Sequence, residues 1–207
     1  MKRVLSMGVL FLATMLCAKD TIKQEGWGVE INPFRLFAST DDESGWRSFS
    51  GTVSYFDNSS GVEIAMPILY SKDSTVRYSY GSFYDKQYES DEIALDVDIR
   101  YRKYFSQKRT EGAYIGAFVR YTYLDGRAKE SAQYATVEKF GVGGELGFKI
   151  KDIFNTPFYW GASLSLGSYL GGDNDIFQTD AMSLGSFNMD DNQYIVDIEI
   201  LKVGYEF

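Results

Sequence analysis

The sequence predicts an all-β fold: an eight-stranded, antiparallel, up-and-down transmembrane β-barrel. Three observations carry this expectation. Apolar and polar residues alternate with a period of two through about eight successive segments, an N-terminal stretch has the layout of an export signal, and short and long connections alternate. The alternation is clearest over 92–104, where Ile93, Leu95, Val97, Ile99 and Tyr101 interleave with Ala94, Asp96, Asp98, Arg100 and Arg102. Successive strand side chains point to opposite faces, so this segment has one greasy face and one charged face. In an exported chain the greasy face is expected to meet lipid, and closure into a ring removes the edges that hydrocarbon cannot solvate.

Lys2 and Arg3 precede the apolar run 4–16, and Ala18 offers a small residue for cleavage. This is a signal-peptide layout, too short for a spanning helix, and it divides the chain into a signal peptide over 1–18 and a barrel domain over 19–207. Cys17 invites a lipoprotein reading, but Leu16 and Thr14 stand where smaller and aliphatic residues are usual. No cysteine follows Cys17, so the exported part makes no disulfides. The net charge of −8 argues against a nucleic-acid partner, which needs clustered Lys and Arg. With 16 Tyr and 15 Phe, the chain is rich in rings that favour membrane–water interfaces.

The first strand is expected over 27–36, bent at Pro33, which lacks an N–H. The second covers 48–56, with Phe49, Val53 and Tyr55 opposite Ser50, Thr52 and Ser54, and a DNSSG turn at 57–61 leads into the third, 62–70. The fourth is 92–104, and the fifth, 113–124, sets Ile115, Val119 and Tyr121 opposite Arg120 and Thr122. The sixth, 137–150, has Phe140, Val142 and Leu146 opposite Lys139, Glu145 and Lys149, with Gly141, Gly143 and Gly147 on the polar face leaving interior space. The seventh is 158–170 and the eighth 194–207, whose apolar phase changes between Ile200 and Leu201, the mark of a β-bulge. Connections at 57–61, 106–112 and 151–157 are short, and those at 37–47, 71–91, 125–135 and 171–192 are longer. That pattern matches short periplasmic turns and long external loops.

The chain resembles the small eight-stranded barrels of Gram-negative outer membranes, the group with outer membrane proteins A, X and W. The resemblance is one of architecture over the whole exported part. Its most specific element is the run Leu201, Val203, Tyr205 and Phe207, which resembles the C-terminal signal read by the barrel-assembly machinery. It implies residence in the bacterial outer membrane, with outer-membrane lipid, lipopolysaccharide and that machinery as partners. The barrel enzymes of this membrane each rely on a histidine, and this chain has none. No catalytic residue, cofactor or metal ligand set is therefore expected.

The polar faces carry Glu30, Glu63, Asp96, Asp98, Glu145, Asp197 and, depending on the bulge, Glu199. Against these stand Arg100, Arg102, Arg120, Lys139 and Lys149. An eight-stranded barrel is only wide enough for side chains to fill it, and unpaired buried ions are very costly. These residues are therefore expected to pair into a charge plug, with the three arginines bridging to Asp96, Asp98 and Glu145. In the external loops, acidic clusters at 41–43 and 173–191 lack a twelve-residue calcium pattern and suit solvated loops. Tyr78, Tyr80, Phe83, Tyr84 and Tyr88 either extend the strands beyond the bilayer or offer a surface to an extracellular protein or glycan.

The reading is thus a non-enzymatic envelope protein, structural or surface-interacting, with a closed lumen. The runner-up is a conduit for small or hydrophobic molecules. The third reading is a soluble periplasmic barrel with a ligand in its lumen, disfavoured because its charged faces would then lie outside.

Overall fold

In the computed structural model, residues 24–33, 35, 47–79, 86–106, 109–128, 134–153, 156–177 and 194–207 are described. Eight strands form one closed antiparallel ring in chain order. They are β1 (Glu25–Ile31), β2 (Arg47–Asp57), β3 (Val62–Ser79), β4 (Lys86–Tyr104), β5 (Gly112–Ala128), β6 (Tyr134–Ile150), β7 (Phe158–Phe177) and β8 (Tyr194–Glu206). Each strand pairs with its chain neighbours, and β1 closes on β8 from Gly28↔Glu206 to Ile31↔Val203. Beyond that run the Trp27 and Phe207 main chains exchange two hydrogen bonds, of 3.1 and 2.8 Å.

The alternation sorts the side chains as expected. Ile64, Ile99, Val119, Leu146 and Val196 point outward, while Glu63, Arg100, Arg120, Glu145 and Asp197 point inward. Ile99 is 58% exposed and its neighbour Arg100 1%, an inversion of the order found in a water-soluble domain. The bulge in β8 falls where the phase changes. Gly161 opposes Lys202 and Ser163 opposes Glu199, so Ile200 and Leu201 both lie opposite Ala162. Both turn outward, and Glu199 and Lys202 on either side both turn inward.

Three features differ from the sequence expectation. The first strand ends at Ile31 instead of continuing to 36, because Pro33 starts helical backbone instead of bending a strand. Asn32 precedes it and accepts a hydrogen bond from the Arg35 N–H at 3.4 Å, the arrangement of a helix cap followed by proline. Next, the hairpins run further than the apolar alternation: β3 and β4 stay paired to Ser79↔Lys86, and β5–β7 continue into segments expected as loops. Ladder hydrogen bonds do not require an apolar face, so the strands outlast the pattern that announced them. Finally, β7 has an unexpected bulge: Phe140 opposes Gly171 and Gly141 opposes Tyr169, leaving Leu170 without a partner across the ladder.

Candidate functional site

The lumen is the chemically distinctive part of the molecule. Every interior charge named above lies there, and four join them that the sequence reading left out: Arg35, Lys151, Lys202 and Glu206. Among the described residues the interior then balances. Glu30, Glu63, Asp96, Asp98, Glu145, Asp197, Glu199 and Glu206 face Arg35, Arg100, Arg102, Arg120, Lys139, Lys149, Lys151 and Lys202. The bulge decides this balance, because it settles the direction of Glu199 and brings Lys202 inside.

These groups form one ladder of alternating sign along the barrel axis. At the turn end, Lys151 meets Glu206 at 2.7 Å, Glu206 meets Lys149 at 3.0 Å, and Lys149 meets Glu63 at 3.0 Å. Glu63 continues to Arg102 at 3.2 Å, and Arg102 to Glu145 at 3.0 Å. Arg100 lies 2.8 Å from Glu145 and 2.7 Å from Asp98, which is 2.7 Å from Arg120. Arg120 reaches Asp197 at 3.3 Å, and Asp197 ends the ladder on Arg35 at 2.9 Å. Arginine suits the centre because its planar fork holds two carboxylates at once. Asp96 stands to the side, 4.0 Å from Arg120, and accepts the Thr122 hydroxyl at 2.5 Å. Lys202 draws together Glu30, Glu145 and Glu199 at 3.5–3.9 Å. Lys139 lies 5.8 Å from the Tyr169 ring centre.

Interior rings fill the remaining space, and four of them are laid over a glycine directly across the ladder. The pairs are Phe56 with Gly26, Tyr114 with Gly147, Phe118 with Gly143, and Tyr159 with Gly204. A Cβ on Gly204 would lie 2.1 Å from the Tyr159 ring and one on Gly143 2.5 Å from that of Phe118. Only a residue without a side chain lets the ring lie flat there. The rings also cover cations: Lys149 sits 4.1 Å from the Tyr159 ring centre and Arg102 5.3 Å from that of Tyr114. Tyr104 and Tyr114 donate their hydroxyls to Glu63 at 2.5 Å and Glu145 at 3.2 Å.

At the turn end Lys151 ties three connections together. Its ammonium donates to Asn58 at 3.1 Å, to Thr110 at 2.6 Å and to Glu206 at 2.7 Å. Burial, with Lys149 nearby, pushes its pKa below the usual lysine value. On the adjacent exposed turn, Asp57 accepts both hydroxyls of Ser59 and Ser60, and these bonds hold its carboxyl down at about 2.

Among the described residues no cluster of three or more acidic, cysteine or histidine side chains could hold a metal ion. A small cavity of about 10 Å³, the space open to a water's centre, lies between Ser50, Pro67, Leu69, Asp98, Arg120 and Glu199. That is room for about one water. Of the aromatic loop candidates, Tyr78 and Tyr88 fall on the extended β3–β4 hairpin, while Tyr80, Phe83 and Tyr84 lie outside the described residues. So do the acidic residues at 41–43 and 180–191. Of the residues resembling an assembly signal, Leu201 lies in the bulge, Val203 and Tyr205 face outward, and Phe207 bonds to Trp27.

No protein-family model and no curated protein matches the chain. Among solved structures it is similar to the crystal structure of a major outer membrane protein from Thermus thermophilus. The identity is 10% and the TM-score 0.46, covering 89% of this chain and 100% of that one. The barrel assignment rests on the strand pairing itself, and so distant a likeness carries none of it.

Proposed function

We propose that this protein is a non-enzymatic barrel of the bacterial outer membrane, structural or surface-interacting, whose lumen is closed by its own ion ladder. The observation that carries the reading is the inversion of the ring: paired charges inside, large apolar side chains outside. The outward positions of β5 from Ala113 to Tyr123 span about 33 Å along the strand, or about 25 Å along the barrel axis at a usual tilt. That is the height of an outer-membrane apolar band. Rings flank it: Trp27 packs on Tyr55, Phe158 on Tyr205 and Phe148 on Trp160 near the turn end, and Tyr121 on Phe140 toward the other. Rings of this kind favour the headgroup layer. The absence of histidine from the sequence supports a role without catalysis. Outer-membrane lipid, lipopolysaccharide and the barrel-assembly machinery are the partners this reading implies, with a protein or glycan at the cell surface.

The orientation follows from the connections, with the turn at 57–61 in the periplasm and 178–193 at the cell surface. Single cysteines at Ser59 and at Asn188, treated with an impermeant thiol reagent on whole cells, test it. Reaction at 188 alone is expected, and reaction at 59 reverses the orientation. For the closed lumen, no steady conductance is expected from the purified barrel in planar bilayers. A reproducible open channel would replace this reading with the conduit.

A further inference from the structure

Three connections meet in a small, dry cluster where the ion ladder ends. Asn58 lies in the turn between β2 and β3, Thr110 precedes β5, and Lys151 follows β6. Asn58 and Thr110 are buried, and the Lys151 side chain is 9% exposed. The Phe56 ring covers the lysine, its centre 4.8 Å from Nζ. An amine, a carboxamide and a carboxylate are thus held together away from water. Lys151 Nζ is 3.1 Å from Asn58 Oδ1 and 2.7 Å from Glu206 Oε2.

Three donors converge on Asn58 Oδ1, an atom with two lone pairs. The Thr110 N–H and hydroxyl each donate to it at 2.8 Å, and Lys151 donates at 3.1 Å. Donors so placed stabilise negative charge on that oxygen, as acyl transfer requires. Oδ1 is one carbonyl bond from Cγ, so the lysine nitrogen lies within about 4.3 Å of the amide carbon. That is no more than about 1 Å beyond attack distance. Burial and the charge of Lys149 lower the Lys151 pKa, which raises the share of neutral, nucleophilic amine. A lysine held only for its charge needs Glu206 and no polarised amide.

We propose that Lys151 and Asn58 react with each other, forming an isopeptide bond that staples the turn after β2 to the turn after β6. Glu206 takes a proton from the ammonium, and the neutral amine attacks Asn58 Cγ. A C–N bond forms while negative charge gathers on Oδ1 against the two Thr110 donors. Glu206 hands its proton to Asn58 Nδ2 and takes another from the attacking nitrogen. The old C–N bond breaks, ammonia leaves with that last proton as ammonium, and Glu206 ends as a carboxylate. Nothing is oxidised or reduced. Glu206 keeps Lys149 at 3.0 Å, so losing the Lys151 charge leaves it paired. The groups are preorganised on one chain and need a single turnover, so a slow reaction suffices. The bond joins residues 93 apart in sequence. It needs neither lipid nor a particular compartment, and it stands apart from the envelope role proposed above.

The test uses chain recovered unfolded from inclusion bodies and refolded into detergent micelles, with the intact mass followed over days. The unfolded chain is expected at its sequence mass, and the folded chain about 17 Da lighter, the loss of one ammonia. Trypsin should then give a branched peptide joining residues 48–72 to 150–202, because acylated Lys151 is no longer cut. Lys151→Arg and Asn58→Ala should fold, as heat-dependent gel mobility reports, and keep their full mass. Glu206→Gln and Thr110→Val should each slow the mass loss about a hundredfold. A folded wild-type chain that stays at full mass overturns the proposal. So does the same loss with Lys151 still cut, the mark of a cyclic imide that Asn58 forms with its own backbone. Loss at the wild-type rate in folded Glu206→Gln overturns the reaction as written. The wild-type chain alone decides whether the bond forms, so a variant that fails to fold leaves that result standing.

Discussion

Arg100 and Asp197 stand on β4 and β8, four strands apart in a ring of eight, and their side chains meet across the lumen at 3.5 Å. Arg120 approaches the same carboxylate at 3.3 Å and Arg35 at 2.9 Å. The wall is thus braced along a diameter as well as around its circumference.

Removing a central cation should therefore cost more than removing a peripheral anion. Arg102→Met strips Glu145 and Glu63 of a shared partner in a site where the arginine is 2% exposed. A loss of about 3–5 kcal/mol is expected from leaving buried charge uncompensated. Asp96→Asn keeps an oxygen to accept the Thr122 hydroxyl and gives up a 4.0 Å ion contact at a side chain 17% exposed, and a loss of about 1 kcal/mol is expected. Urea unfolding from lipid vesicles measures both, and equal costs would mean that the ladder does not hold the wall.

The outer face should reject charge. Ile99→Arg near the middle of the apolar band is expected to cost about 2–4 kcal/mol for folding into lipid, and Ile99→Leu almost nothing. If the arginine folds as readily as the leucine, the face does not meet hydrocarbon.

Gly204→Ala should force the Tyr159 ring from its place, at about 1–3 kcal/mol. Tyr159→Leu removes the ring the new methyl strikes, so the double variant should lose less than the two single changes added together. Additive losses in a double-mutant cycle would show that ring and glycine act separately.

The turn at 57–61 should weaken in acid. The Asp57 pKa is lowered from 3.8 to about 2, so the folded state holds the proton less tightly than the unfolded chain. The stabilisation is complete above the ordinary value and fades as the pH falls toward about 2. Asp57→Asn should flatten this dependence between those two values in unfolding rates of the purified barrel. An unchanged slope would remove Asp57 as its source.

The strands from β2 to β8 were legible because each carries its own two-residue alternation, and even the β8 bulge was written in a change of phase. The first strand was legible as far as Ile31 but its end was not, because a proline in a strand and a proline opening a helix look alike until Asn32 is recognised as the cap. Lys202 and Glu206 were missed although the change of phase turns both inward, because the segment after it was read only for Leu201, Val203, Tyr205 and Phe207. Of the interior rings, Tyr159 falls on the polar face of its strand by alternation, whereas Phe56, Tyr114 and Phe118 were missed because Tyr and Phe were read as interface residues. Their signal was present as glycines that fall directly opposite them, and it appears only once the register is known. The pairing of Asp98, Glu145 and the three arginines followed from charge balance alone, whereas Arg35 and Lys151 come from outside the strands and carry no alternation.

The ladder also bears on how such a ring can form. Counting only interior charges, the β5–β6 hairpin brings Arg120, Lys139 and Lys149 against Glu145, an excess of two positive charges. The β7–β8 hairpin brings Asp197, Glu199 and Glu206 against Lys202, an excess of two negative ones. Neither can enter an apolar medium alone without unmatched ions, and neutrality is reached only when the complete set is assembled. Half-built rings are therefore penalised relative to both the unfolded chain and the finished barrel, which makes closure an all-or-none event.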